Sequence, residues 1–295
     1  MTAEESVRAG RLDEALADLQ AQVRKQPADP RLRIFLFQLL CVLGQWERAL
    51  NQLKVAGEMD PNAATMMATY KEVLRCEMLR ADVFAGKQSP LLFGKPAEWM
   101  ALLMQALRLV GQQKFDEAAP LRERAFEEAP TTSGAVDGQT FEWIGDADPR
   151  IGPMLEAIIN GRYYWIPFNR LSEIKIDKPV DLRDIAWTPA TLTLANGGET
   201  VALIPTRYPG TESSGNPVLV MARGTDWIER PAGTGVTHFG VGQRLFATDQ
   251  AEYALMDVRL IALSGSDDSA AAGEEQRLGD DEVTDHGEDD GPERA

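Results

Sequence analysis

Over the first 134 residues the apolar positions return every three or four places, the spacing of helices that bury one stripe. One such set is Leu12, Ala15, Leu16 and Leu19, and a second is Trp46, Ala49, Leu50 and Leu53. The sets are offset by 34 residues, and Gly10 with Gly44 and Pro27 with Pro61 keep the same interval. That period is the length of a tetratricopeptide repeat, a helix–turn–helix unit. Glycine permits the tight turn between the helices, the small alanine lets them approach, and proline closes one unit or opens the next. Asp29-Pro30 and Asp60-Pro61 each supply an N-cap followed by proline at the first helical position. A third copy starts at Phe115, where Ala118 and Pro130 keep the separation of Ala15 and Pro27. The stretch between, roughly 63–95, keeps a helical pattern without the signature, and KQSPLLFGKP reads as an irregular insertion.

The helix from about 30 to 43 is apolar on every side: in LRIFLFQLLCVL only Arg33 and Gln38 are polar. Such a helix is buried all round or has a partner on its remaining face. In repeat geometry the first helix of each pair lines the concave surface, which would present Arg31, Ile34, Gln38 and Cys41 there. This strip is either an open peptide groove or a face covered by the insertion or by the second half of the chain.

After about residue 135 the helical period gives way to short β-branched and aromatic runs broken by glycine and proline. TLTLANGGETVALIP reads as a hairpin about Asn196-Gly197-Gly198. NPVLVMARGTDWIER reads as two strands around Gly224, and GQRLFATDQAEYALMDVRLIAL as two more, with Met256, Val258 and Leu260 on one face. GTGVTHFGVG lacks dinucleotide-binding spacing and reads as a loop. The expected fold is therefore α+β: tetratricopeptide-like helices over 1–134, a strand-rich domain over 135–263, and a disordered acidic tail over 264–295.

Charge supports the last boundary. The chain carries a net −16, and residues 264–295 hold twelve acidic and two basic side chains with almost no large apolar ones. That composition buries too little apolar surface to offset ordering entropy. With no basic stripe, nucleic acid is not an expected partner. No secretory signal or membrane-length apolar run is present, and Cys41 and Cys76 both lie in helical patterns, so the cytoplasm is the expected compartment.

The search for chemistry yields little. His238 is the only histidine before the tail, so histidine metal sites and serine or cysteine triads lack parts. Glu142, Asp146 and Asp148 lie close together in EWIGDADPRIGP, as carboxylates around a divalent cation do, but Asp-Ala-Asp-Pro is also a turn sequence. Asp181 and Asp184 flank Arg183, which reads as ion pairing or capping. These carboxylates are the only basis for an alternative reading as a metal-dependent hydrolase, and no cofactor is expected. Trp143, Trp165 and Trp187 read as core aromatics, although an exposed one could anchor a partner.

FEWIGDADPRIGPMLEAIINGRYYWIPF, DLRDIAWTPA, IPTRYPGTE, GQRLF and LMDVRLI together resemble the ImpE family, also called SciE or TagJ, over residues 1–263. The resemblance implies a non-enzymatic accessory protein of the bacterial type VI secretion system. It implies as partner the small subunit of the contractile sheath, and an influence on sheath assembly or on recycling by the dedicated AAA+ ATPase. The strip of Arg31, Ile34, Gln38 and Cys41 is the expected docking surface for a sheath segment.

Overall fold

The 34-residue period sets the helical hairpins of the first half. The computed structural model describes residues 2–264 except 233 and 234, so the tail, with its expected disorder, lies outside the described residues. Helices α1 (Ala3–Arg8) and α2 (Leu12–Lys25) form one pair, and α3 (Pro30–Val42) and α4 (Trp46–Met59) the next. The turns between partners hold Gly10 at φ +74° and Gly44 at φ +67°, left-handed backbone that glycine adopts without steric cost. Ala15, Ala49 and Ala118 are each fully buried, as close helix approach requires. In the third pair, α6 (Glu98–Gly111) and α7 (Phe115–Glu128), Gln113 takes the left-handed place at φ 61°.

Between these pairs stands a single 21-residue helix, α5 (Ala64–Phe84). The following segment is more than an insertion. Its strand β1 (Leu91–Leu92) pairs in parallel with Tyr164 and Trp165 of the second half.

The second half opens with β2 (Gly134–Val136), β3 (Gln139–Phe141), β4 (Ile144–Asp146), β5 (Met154–Ile159), β6 (Arg162–Pro167) and β7 (Leu171–Ile176). The expected hairpin is present as β8 (Trp187–Leu194) and β9 (Glu199–Pro205), with Trp187 opposite Pro205 and Thr193 opposite Glu199. Three readings need correction. PVLV is a short helix, α8 (Pro217–Val220), capped by Asn216 through its bond from the Val218 N–H at 3.0 Å. VTHFGVG belongs to strand β11 (Gly235–Gly242), paired along its length with β10 (Thr225–Ala232) in a ribbon whose Phe239 meets Phe115 of α7. Its glycines allow close approach: a Cβ on Gly240 would stand 2.3 Å from the Tyr208 ring. The last stretch holds three strands, β12 (Leu245–Thr248), β13 (Glu252–Ala254) and β14 (Leu260–Leu263). Leu255 to Asp257 form a turn, so Met256, Val258 and Leu260 share no strand face: Val258 is buried, whereas Leu260 is exposed and Ile261 and Leu263 are buried beside it.

Among the described residues the main sheet has nine strands, in the order β1-β6-β5-β9-β8-β7-β14-β2-β3. Alternation along its strands feeds two cores. Leu155, Ile166, Leu192 and Ile204 point away from the helices and pack with Phe246 and Leu255. Met154, Ile158, Trp165 and Trp187 point the other way, into one continuous core with Leu19, Phe37 and Leu53 of the helices. Composition changes at about residue 134, but the apolar core runs across that point.

Candidate functional site

The surface of α3 that repeat geometry would leave open is where the two halves meet. Asp29 caps the helix by accepting from the Arg31 N–H at 2.9 Å, and Pro30 fills the first turn. At the other end, the buried Arg207 guanidinium donates to the carbonyls of Val42 at 2.7 Å and Cys41 at 3.4 Å, satisfying acceptors that a helix end leaves unpaired. The same guanidinium donates to Val220 of α8 at 2.6 Å. Gln38 donates to Asp181 at 3.1 Å, at the start of the short 3-10 turn Leu182–Ile185. Arg183 pairs with Asp181 at 2.9 Å and lies 4.6 Å above the Tyr70 ring. Phe37, Tyr70, Trp187 and Trp46 then follow one another with ring centroids 5.8–5.9 Å apart.

The four residues predicted for the strip therefore part company. Cys41 is fully buried, and burial pushes its thiol well above the usual range, so it presents no surface. Gln38 is half-buried and spent on Asp181. Ile34 is half-buried and Arg31 exposed, one and two turns from that closed end. Val180, next to Asp181, is 92% exposed. The strip is covered at its C-terminal end by the second half, as an all-round apolar helix demands, and open only at its N-terminal end.

Behind this seam lies a buried ionic network. Glu156 receives Arg80 Nε at 2.7 Å and Arg80 Nη2 at 3.1 Å, and also bonds Arg244 and the Tyr163 hydroxyl. Burial works to raise the Glu156 carboxyl, but Arg80 and Arg244 overcome it and bring it down to about 2. Arg80 also donates to the Arg207 carbonyl at 2.9 Å, and Trp187 Nε1 donates to Glu77 at 2.9 Å. Desolvation raises the Glu77 carboxyl, and Arg80 at 3.5 Å opposes it.

The carboxylates of 142–148 belong largely to the same network. Asp146 bonds Arg244 and accepts from the Tyr208 hydroxyl at 3.0 Å, and burial pushes its carboxyl up to about 7 against the pull of Arg244. Asp148 is fully buried, bonds Arg150 and accepts from the Gly240 N–H at 2.8 Å. Neither faces solvent, as a simple turn would leave it, and each is matched to its own arginine. Glu142 is exposed, and its backbone N–H donates to Asp249 at 2.7 Å. Asp181 and Asp184 do cap and pair locally. Trp165 and Trp187 are core residues, whereas Trp143 is 43% exposed, which corrects its reading as core. Sequence reasoning missed Arg80, Glu156, Arg207 and Arg244. Its one available signal was the lone Glu156 in the apolar run MLEAII.

The ImpE protein family matches residues 138–262, and the tetratricopeptide repeat matches residues 6–69. The chain is 51% identical over 267 residues to the Pseudomonas aeruginosa protein named type VI secretion system accessory component TagJ, covering 90% of this chain and 92% of that one. An X-ray crystal structure of a Vibrio parahaemolyticus protein superposes with a TM-score of 0.82 over 90% of this chain and 98% of its own, at 20% identity, so it shares the fold. With a repeat-built helical half locked onto an ImpE half, and 51% identity to TagJ over nine-tenths of the chain, this protein belongs to the ImpE family.

Proposed function

We propose that the chain is a cytoplasmic accessory component of a bacterial type VI secretion system that acts by binding. The single observation carrying this reading is its 51% identity to TagJ over nine-tenths of both proteins. Its partner, on this reading, is a segment of the small sheath subunit. The exposed N-terminal end of α3, with Arg31 and Ile34, receives that segment, while Gln38 and Cys41 form the closed end of the strip. The family resemblance supports the choice of partner, and the tetratricopeptide-like helices support the mode, an apolar helix face laid on a helical groove. Through that contact the protein would influence sheath assembly or recycling by the AAA+ ATPase, without touching the ATPase itself. A non-catalytic role also agrees with the pairing of Asp146 and Asp148 to Arg244 and Arg150, which leaves neither carboxylate open to a cation.

Titration calorimetry of the small sheath subunit against the full chain and its Ile34→Asp variant tests the site. A central apolar anchor is commonly worth at least about tenfold in affinity, and that loss is expected with an unchanged circular dichroism spectrum. Normal folding with normal binding would move the site to the exposed sheet edges, where an extended segment adds a strand.

A further inference from the structure

A second surface lies apart from α3 and shares no residue with it. The end of α7, the extended chain that follows it and the loop after β4 enclose a cavity of about 370 Å³. That size is at the lower end of the about 300–1,000 Å³ typical of ligand pockets. Two aromatic side chains form its mouth, Trp143 at 43% and Phe126 at 38% exposure. Exposed aromatics sharing one cavity are the kind of anchor that interfaces use. Phe126 lies close over Gly152, where a Cβ would stand 2.3 Å from Phe126 Cζ. Ile144 and Pro153 continue the apolar lining.

The exposed charged groups next to these lining residues are mainly acidic. Glu127 and Glu142 follow and precede the two aromatics in sequence, and both are exposed. Asp249 accepts the Glu142 N–H at 2.7 Å, and Glu252 is the cross-strand partner of the lining residue Ala247. Both of these carboxylates are exposed as well. Of the nearby arginines, Arg150 turns inward onto Asp148 and the Phe239 ring, Arg124 pairs with Glu98 and Glu128, and Arg122, one turn before Phe126, is half-buried. Apolar floor and acidic rim together select an occupant with the opposite charge. The chain's own segment 265–295 begins nearby, since the Ser264 N–H donates to the Ser133 carbonyl at 2.8 Å. It carries twelve acidic and two basic side chains, so the rim repels it.

We propose that this pocket docks a basic segment of a partner protein, one large apolar side chain entering between Trp143 and Phe126 with lysines or arginines on either side meeting the acidic rim. The probe is a labelled peptide with a central phenylalanine between lysine pairs, titrated into the full chain by fluorescence polarisation, with 5-fluorotryptophan resonances followed in parallel. The peptide should bind and shift the Trp143 resonance. Replacing its phenylalanine by alanine, or its lysines by glutamate, should weaken binding at least about tenfold. Trp143→Ala and the double variant Glu127→Lys/Glu142→Lys should do the same, the latter at solvent-exposed positions that folding does not need. Ile34→Asp should leave peptide binding unchanged, which separates this surface from the α3 site. Undetectable peptide binding, equal binding of the glutamate peptide, or an unaffected Trp143→Ala variant would overturn the proposal. So would a shift of the Trp143 resonance by a synthetic peptide of residues 265–295, which would make the pocket a seat for the chain's own acidic segment.

Discussion

Replacing Glu156 by glutamine should destabilise the whole chain, because the carboxylate sits between two buried guanidiniums contributed by different parts of the fold. Glu156 is fully buried, and the side chains of Arg80 and Arg244 are 7% and 0% exposed. Glutamine keeps the shape and one acceptor, but it turns an N–H toward a guanidinium and leaves a positive charge without its counter-ion. Breaking a buried pair in this way costs about 3–5 kcal/mol. The titration of the group gives a similar figure. Its carboxyl falls from the ordinary 4.5 to about 2, which at about 1.4 kcal/mol per pH unit is about 3 kcal/mol. A carboxyl lowered on folding contributes stability that is fully present above pH 4.5 and is lost as pH falls from 4.5 through about 2. The deficit of the variant should therefore be constant near neutrality and shrink over that acid window. Urea denaturation followed by tryptophan fluorescence and circular dichroism measures it, with Arg124→Gln as an exposed-pair control beside Glu98 and Glu128. A loss no larger than that of the control, or one that affects only one of the two probes, would refute the idea that this network ties the halves into one cooperative unit.

Trp187→Phe removes the indole N–H from buried Glu77 and should cost about 2 kcal/mol in the same assay. Because burial holds the Glu77 carboxyl above its usual value, that deficit should diminish as pH falls and the group takes up a proton. Gln113→Gly relieves left-handed backbone at φ 61° and should raise the melting temperature by about 2 °C in scanning calorimetry. A lower melting temperature would mean that the Gln113 side chain stabilises the turn after α6.

The helical pairs were legible because their signals are local. Gly10 and Gly44 occupy the turns that the 34-residue spacing assigned to them, and Ala15 and Ala49 the close contacts. Gln113 shows the limit of that logic, since the same backbone is held there by a residue without glycine's freedom. PVLV read as a strand from its β-branched residues, and the Asn216-Pro217 cap that starts α8 went unread. VTHFGVG resisted for a different reason: Gly240 is glycine because the Tyr208 ring lies on it, a contact between strands distant in sequence. The seam itself was illegible for the same physical cause. Arg80 meets Glu156 across 76 residues and Arg207 meets Val42 across 165, so no local pattern records them. The closure of α3 followed in principle from its lack of a polar face, but which end would be covered depended on Arg207 and Asp181.

The central claim is that the open end of α3 is a docking surface in the secretion machinery. A photoreactive benzoylphenylalanine placed at position 34 of the full-length chain, in cells assembling type VI sheaths, tests it most directly. Irradiation should yield a covalent adduct with the small sheath subunit from position 34, and none from the exposed position 201 on the sheet face. An adduct from position 201 alone, or none from position 34 while the two proteins still co-purify, would contradict the account.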